Sequence, residues 1–435
     1  MNKKVVLLST MALTALMSST ALAKNQIDIG GFVKFELGFY DSDFVNENHR
    51  DARTQSKLEG KWKNTAENGL EYGIRIRLLA ATDQTTQADK ANIWLESKLG
   101  RLELGDDDAA GAAMALFAPS IGFGQAVDSD LDDFLNPASA TQIGPKAFNS
   151  SRSTKITYFT PRMYGAQFGI SYTPEFDNGE NIVRTKNSDM TSIEPGNGNE
   201  AFTVAAGEDL PGNDILIDYI QPFGYDPLAP DGGDNQAVGR QKKFFKKSIK
   251  DFIELGLNYN TKIDDVDFKM SAAYTHANMK NIALRGPNFS GKRHDINAYQ
   301  IGAQASWRNY IIGGGFVDNL KSGQLQHFKA QKRQSWNIGL GYATDIWGVS
   351  ANYIGENYGK TKGNGTFYAA GVGGFYSLAP GIKVGLDYNH AVRKFGKNTG
   401  TFNNPGKAYN VPSALTAGKT KDTNDVWIFG TRVDF

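Results

Sequence analysis

The sequence predicts an all-β chain: a transmembrane antiparallel β-barrel of 16 strands (18 possible), with one long loop folded inward. Three observations predict it. Apolar and polar residues alternate with a period of two from Lys24 to the C-terminus, the pattern of strands buried on one face. The connections between these runs alternate long and short, as in a barrel whose rims face different compartments. Aromatic residues collect near the ends of the apolar faces, where amphipathic rings meet a membrane–water interface.

Composition narrows the class. The 435 residues carry 47 Lys+Arg, 46 Asp+Glu and no Cys. This balance argues against a nucleic-acid binder, which needs a basic field, and without thiols no redox compartment can be read. No apolar run beyond the N-terminal segment approaches the roughly 18 residues of a membrane helix. A barrel strand, however, shows its lipid face only at every second residue. The N-terminal segment reads as an export signal. Lys3 and Lys4 precede the apolar stretch Val5 to Met17, and Ala21-Leu22-Ala23 has the small-x-small cleavage pattern. Residues 1–23 are expected to be removed, leaving 24–435 as a single barrel domain.

Each strand follows from its alternation. The first, 27–40, sets Ile27, Ile29, Gly31, Val33, Phe35, Leu37 and Phe39 against Asp28, Gly30, Lys34, Glu36 and Gly38. The second, 53–63, sets Leu58 and Trp62 against Arg53, Lys57, Glu59 and Lys61; the third, 69–80, sets Ile74, Ile76 and Leu78 against Arg75 and Arg77. Two hairpins follow, 89–98 with 100–105 and 153–160 with 165–174. Then come 251–261, 265–277, 295–308, 310–318, 334–344, 346–358, 366–378, 381–391 and 425–435. The long connections are expected at 41–52, 81–88, 106–152, 175–250, 278–294, 319–333 and 392–424. An extra hairpin around Asp214 to Gln221, within 175–250, would raise the count to 18. The aromatic girdles draw on Trp62, Tyr259, Tyr274, Trp307, Tyr342, Trp347, Tyr353 and Tyr388.

Residues 106–152 have no period-2 pattern and carry Asp106, Asp107, Asp108, Asp128, Asp130, Asp132 and Asp133. So long an irregular segment inside a compact domain points to function. Alternation sends Arg53, Lys57, Lys61, Arg75 and Arg77 to the lumen, with Lys34 and Lys155 as further members. The opposite register would put guanidinium groups in lipid at about 2–4 kcal/mol each near the midplane.

The last strand ends Trp427-Ile-Phe-Gly-Thr-Arg-Val-Asp-Phe435, and here the chain resembles a Gram-negative outer-membrane general porin of the alphaproteobacterial, 16-stranded kind. Gly-Arg-Leu-Glu-Leu-Gly-Asp (100–106) and Tyr158-Phe-Thr-Pro161 with Ser171-Tyr-Thr-Pro174 resemble the strands flanking that family's constriction loop. The resemblance implies a bacterial outer-membrane channel for passive diffusion of ions and small hydrophilic solutes, without enzyme activity. It further implies a homotrimer and Phe435 as the mark read by the barrel-assembly machinery. With 106–152 folded inward, the acidic loop would face the basic wall, and opposed charges would favour polar solutes. Loop 175–250 is longer than the family's usual connection. It would be extracellular, and Arg240 to Lys250 would meet anionic lipopolysaccharide.

Other motifs carry less. Asp128, Asp130 and Asp132 alternate as in a calcium loop, but Asp133 replaces the glycine and Ser139 the closing Glu. That leaves room for an opportunistic Ca²⁺ and no dedicated cofactor. His49, His276, His294, His327 and His390 lack metal spacing, and no nucleophile elbow accompanies them. The alternatives are a sugar- or carboxylate-preferring channel, an outer-membrane hydrolase and an adhesin. The first would use inward Trp94, Phe159, Phe367 and Phe375, which form no continuous track in sequence.

Overall fold

In the computed structural model these strands close into a barrel. The structure describes residues 25–43, 50–82, 84–127, 129–135, 143–175, 193–196, 215–220, 238–245, 249–279, 282–283, 290–291, 294–323, 326, 332–357, 365–394 and 421–435. The expected export signal, 1–23, and Asp128 lie outside them.

The wall consists of β1 (Gln26–Ser42), β2 (Arg50–Thr65), β3 (Glu71–Ala81), β4 (Gln84–Ser97), β5 (Gly100–Asp106), β6 (Thr154–Phe159), β7 (Ala166–Glu175) and β8 (Ile249–Ile263). It continues with β9 (Val266–Met279), β10 (Ile296–Trp307), β11 (Tyr310–Asp318), β12 (Gln334–Ala343), β13 (Trp347–Asn357), β14 (Thr366–Ala379), β15 (Ile382–Lys394) and β16 (Lys421–Asp434). Each pairs antiparallel with its neighbour, and β16 closes on β1 with Phe32 opposite Asp434 and Ser42 opposite Asn424. Closure leaves the wall without an edge.

Two expectations are corrected. The wall has 16 strands, not 18. Ile215–Ile220, inside the segment considered for an extra hairpin, is extended, but it pairs with Val238–Phe245 in a separate three-stranded sheet completed by Ile193–Gly196. The wall has no gap to receive it, because β7 pairs directly with β8, Tyr172 opposite Ile253. The connection expected at 81–88 shrinks to 82–83, because β4 begins at Gln84. Register shifts at Arg77/Leu78 and Leu79/Ala81 break the alternation there, as β-bulges do.

Elsewhere the faces fall as the period requires. Ile29, Val33, Phe35, Leu58, Ile76, Ile93, Ile301, Ile338 and Leu340 are exposed on the outside, where lipid would cover them. Trp307, Tyr310, Tyr342 and Trp347 form a chain of ring contacts beside the short turns, at 6.0, 4.8 and 5.0 Å between centroids. Tyr388 and Trp427, 4.7 Å apart, and Tyr353 and Tyr368 lie toward the other rim. The two-residue turns after β8 and β10 are completed by Asp264 and Arg308 at φ +50 and +52, the left-handed conformation that matches hairpin twist.

Candidate functional site

Residues 107–127, 129–135 and 143–153 lie inside the barrel along its inner wall. Lys155, on β6, holds the neck of this loop: its Nζ donates to the carbonyl of Asp107 on the outgoing side and to those of Ser151 and Ser153, at 2.8 and 2.6 Å, on the returning side. The outgoing leg begins with one helical turn, α1 (Ala110–Ala113). It then crosses strand after strand, its amides captured by inward side chains. Ala110 N–H donates to Ser171 Oγ on β7 (2.7 Å), Leu116 N–H to Ser271 Oγ on β9 (3.1 Å) and Ala118 N–H to Asn337 Oδ1 on β12 (2.7 Å). Ile121 N–H reaches Ser350 Oγ on β13 (2.9 Å), while Phe123 and Gly124 N–H converge on Asp387 Oδ2 on β15 (2.6 and 3.2 Å).

This close approach requires absent side chains. A β-carbon at Gly302 on β10 would strike the Leu116 carbonyl, and one at Gly385 or Gly430, on β15 and β16, would strike the Phe123 ring. Where the wall is apolar, the loop forms a core inside the barrel. Val127, Leu131, Phe134 and Leu135 pack on Ile354, Phe367, Ala369, Val426 and Ile428. Burial of such side chains contributes about 1.5–3 kcal/mol each. The returning leg uses Glu356 Oε1 for Ile143 and Gly144 N–H (3.1 and 2.7 Å), Gln300 for Ala147 N–H (3.0 Å) and Glu254 for Ser150 N–H and Oγ–H (3.2 and 2.5 Å).

At β1–β5 the contacts become ionic. Lys34 Nζ lies 2.5 Å from Asp130 and 2.9 Å from Glu36. Arg53 pairs with Asp130 at 2.9 Å and also with Asp133. Arg75 bridges Glu59 (2.8 Å) and Asp107 (3.4 Å), and Arg77 holds Asp89 through two bonds of 2.7 and 2.6 Å. Lys90 joins Asp107 (2.5 Å) and Asp108 (2.8 Å), and Arg152 joins Asp89 (2.8 Å) and Asp108 (3.8 Å). Burial works against ionisation of Asp108, but the hydrogen bond and charge of Lys90, with Arg152 and Lys146, outweigh it. They hold its pKa below the usual carboxylate range.

The loop carboxylates therefore meet the basic residues at contact distance. Asp107, Asp108, Asp130 and Asp133 are brought to Arg53, Arg75 and the unforeseen Lys90. Asp106 ends β5 and accepts from Thr154; Asp132 is half-buried in the 3₁₀ turn Ser129–Phe134. Lys61 pairs with Glu59 at 2.9 Å. Lys57 stands over the Phe32 ring, 5.0 Å from its centroid. Among the described residues no group of carboxylates or histidines converges to hold a metal ion; Asp130 and Asp133 turn instead to Lys34 and Arg53.

Sequence reading missed Asp89, the extra residue of the bulge, its neighbour Lys90, and Arg152. It also missed the neutral residues that capture the loop backbone. Their one signal was polar residues repeated at inward positions, which any aqueous lumen would show. The inward aromatics make no track: Phe367 is buried under the loop, Trp94 is covered by Arg101 at 4.7 Å and Phe375 faces Lys383 at 4.7 Å.

Comparison with known proteins agrees with this architecture. The family model for Gram-negative porin matches residues 9–394. An uncharacterized protein of Rickettsia conorii is 22% identical, over 94% of this chain and 93% of its own. Among solved structures, in-vitro folded OmpT of Vibrio cholerae, an outer membrane protein in trimer form, superposes with a TM-score of 0.55 at 10% identity, covering 94% of this chain and 99% of that one. The anion-selective porin of Comamonas acidovorans gives 0.50 at 13% identity, covering 95% and 100%. At such identities the structural likenesses speak to the fold alone. The family match spans most of the chain and coincides with a closed barrel holding an inward loop: the chain belongs to the Gram-negative porin family.

Proposed function

We propose that the chain is a passive diffusion channel of the bacterial outer membrane, with the loop 106–152 as its constriction. The observation that carries this reading is the loop's course: it lines the lumen on both legs and leaves an apolar exterior outside. A solute crossing such a passage meets fixed charges and backbone polar groups, so it is selected by size and charge without a deep bound state. Small hydrophilic solutes and ions fit this, and the porin family and fold point to a channel rather than to catalysis. Ion pairing within the basic wall leaves a weaker transverse field than separated charge rows would produce.

Four further features belong to the same reading. Residues 1–23 act as the export signal, giving a chain that begins at Lys24. Phe435, whose backbone exchanges hydrogen bonds with Gly31 at 3.0 and 3.1 Å, serves as the assembly mark. The loop 175–250 faces outward, with Arg240 to Lys250 toward lipopolysaccharide. The barrel works as a homotrimer. Refolded protein in a planar bilayer tests the channel. Stepwise ohmic conductance, in triplets for a trimer, is the expected result; a heat-modifiable folded barrel that leaves the bilayer insulating overturns it.

A further inference from the structure

Most inward cations of β1–β4 are held against carboxylates, but Lys57 and Lys383 make no ion pair among the described residues. Each lies over an aromatic ring instead, Lys57 Nζ 5.0 Å from the Phe32 centroid and Lys383 Nζ 4.7 Å from that of Phe375. Arg432 shares Phe32, its guanidinium carbon 4.0 Å from the same centroid. The register joins these residues: Lys383 is opposite Arg432 and Lys57 is opposite Phe32. Adjacent strands β16, β1 and β2 thus present Arg432 and Lys57 to one patch of lumen, with Lys383 on β15 flanking it. The patch lies on the short-turn side of the loop, since Phe123 covers Gly385 and Gly430, the next inward positions toward the other rim.

The patch is open. A cavity of about 300 Å³ is lined by Phe32, Lys57, Lys61 and Arg432, with Asp28 and Glu59 as its carboxylates. Glu59 is already bound to Arg75 and Lys61, at 2.8 and 2.9 Å, and Asp28 accepts from Gln26. Arg432 gives Nε and Nη2 to one oxygen of Asp434, at 2.8 and 2.7 Å, which leaves Nη1 for a solute. Lys57 and Arg432 both reach one ring, so their charges lie no more than about 9 Å apart. An aromatic face steadies a cation without neutralising it, unlike the carboxylates that hold Arg53 and Arg77.

We propose that Lys57 and Arg432, on the platform of Phe32, form a station for the oxyanion group of a permeating solute, a carboxylate or a phosphate, with Lys383 as a flanking charge. The station rests on the channel reading above. Oxyanions are favoured over chloride because a planar guanidinium and an ammonium together satisfy several acceptor oxygens at once. Exposure to water keeps the station shallow enough to release what it takes.

The test is the current through the refolded full-length barrel in about 0.1 M KCl, where charges act over about 10 Å. Inorganic phosphate is titrated in, with acetate in a parallel arm to assign the preferred oxyanion. At least one of the two should reduce chloride current saturably. Lys57→Gln should raise the half-blocking concentration about threefold, the weight of one charge felt across a few ångströms of water; Lys383→Gln, which removes the flanking charge, should raise it less. Lys57→Arg should preserve the block. Indifference to both anions, or folded Gln variants with unchanged block, overturns the station while the channel stands. A folded barrel without conductance overturns both.

Discussion

Along β1–β5 the loop is held side chain to side chain, by lysine and arginine on aspartate; from β7 to β15 its polar contacts are made by its own backbone. On the first side Arg53 collects Asp130 and Asp133, with Glu36 at 3.7 Å. On the second, Ser171, Ser271, Asn337 and Asp387 accept amide protons from any sequence able to follow the wall. The difference teaches where specificity sits. Charged contacts fix which loop residues stand where, and they respond to acid and salt. Backbone capture fixes only the path, and it depends on small inward residues that let the chain approach.

The largest expected effect comes from breaking the charged side. Arg53→Met strips the cluster of Lys34, Glu36, Asp130 and Asp133 of one of its cations, and loss of one partner from a buried pair costs about 3–5 kcal/mol. Hydrogen exchange should show amides 129–135 losing protection while those at 116–124 change little; equal loss on both legs would mean that the two attachments are one cooperative unit. A smaller effect belongs to the neutral side. Gly302→Val drives a side chain into the Leu116 carbonyl, an overpacking worth about 1–3 kcal/mol, and should expose 114–118 to exchange and to protease in the folded barrel. Smaller again is Asp387→Asn, which keeps an acceptor for Phe123 and Gly124 but removes its charge, a loss of about 1 kcal/mol. Faster exchange confined to those two amides is the outcome to look for.

Acid gives the gentlest comparison. Asp108 has its pKa depressed in the folded chain, so its stabilising contribution is complete above the ordinary carboxylate pKa and disappears as pH falls through the lower folded value. Protection at 107–109 should therefore hold from neutral pH down to the usual carboxylate range and decline only below it. Asp108→Asn should flatten that decline. A loss already at pH 6 would point to a different titrating group.

All sixteen wall strands were legible in sequence because lipid outside and water inside enforce the period of two on every strand. Ile74, Arg75, Ile76 and Arg77 leave one register only. The path of the loop was not legible. Asp107 and Asp130 could be placed opposite a basic wall, but the network also depends on the bulge that brings Asp89 inward beside Lys90. The inward glycines, Gly302, Gly385 and Gly430 among them, were present in the alternation, yet in a strand a glycine reads first as a weakness. Its use as clearance for a second chain segment shows only when that segment is in place. Likewise Ile215–Ile220 announced a strand but not its partner.

The loop also crosses the joint where the barrel's two ends meet. Phe123 lies over Gly385 and Gly430 on β15 and β16, Phe134 lies over Gly38 on β1, and Asp130 reaches Lys34 on β1. It is thus a splint laid inside the seam between the first and last strands, the joint whose partners are most remote in sequence. A splint of this kind resists opening of the seam, because its polar and apolar contacts are made on both margins at once. Separating β16 from β1 by more than the slack of residues 124–133 would pull Phe123 or Phe134 from its glycine seat.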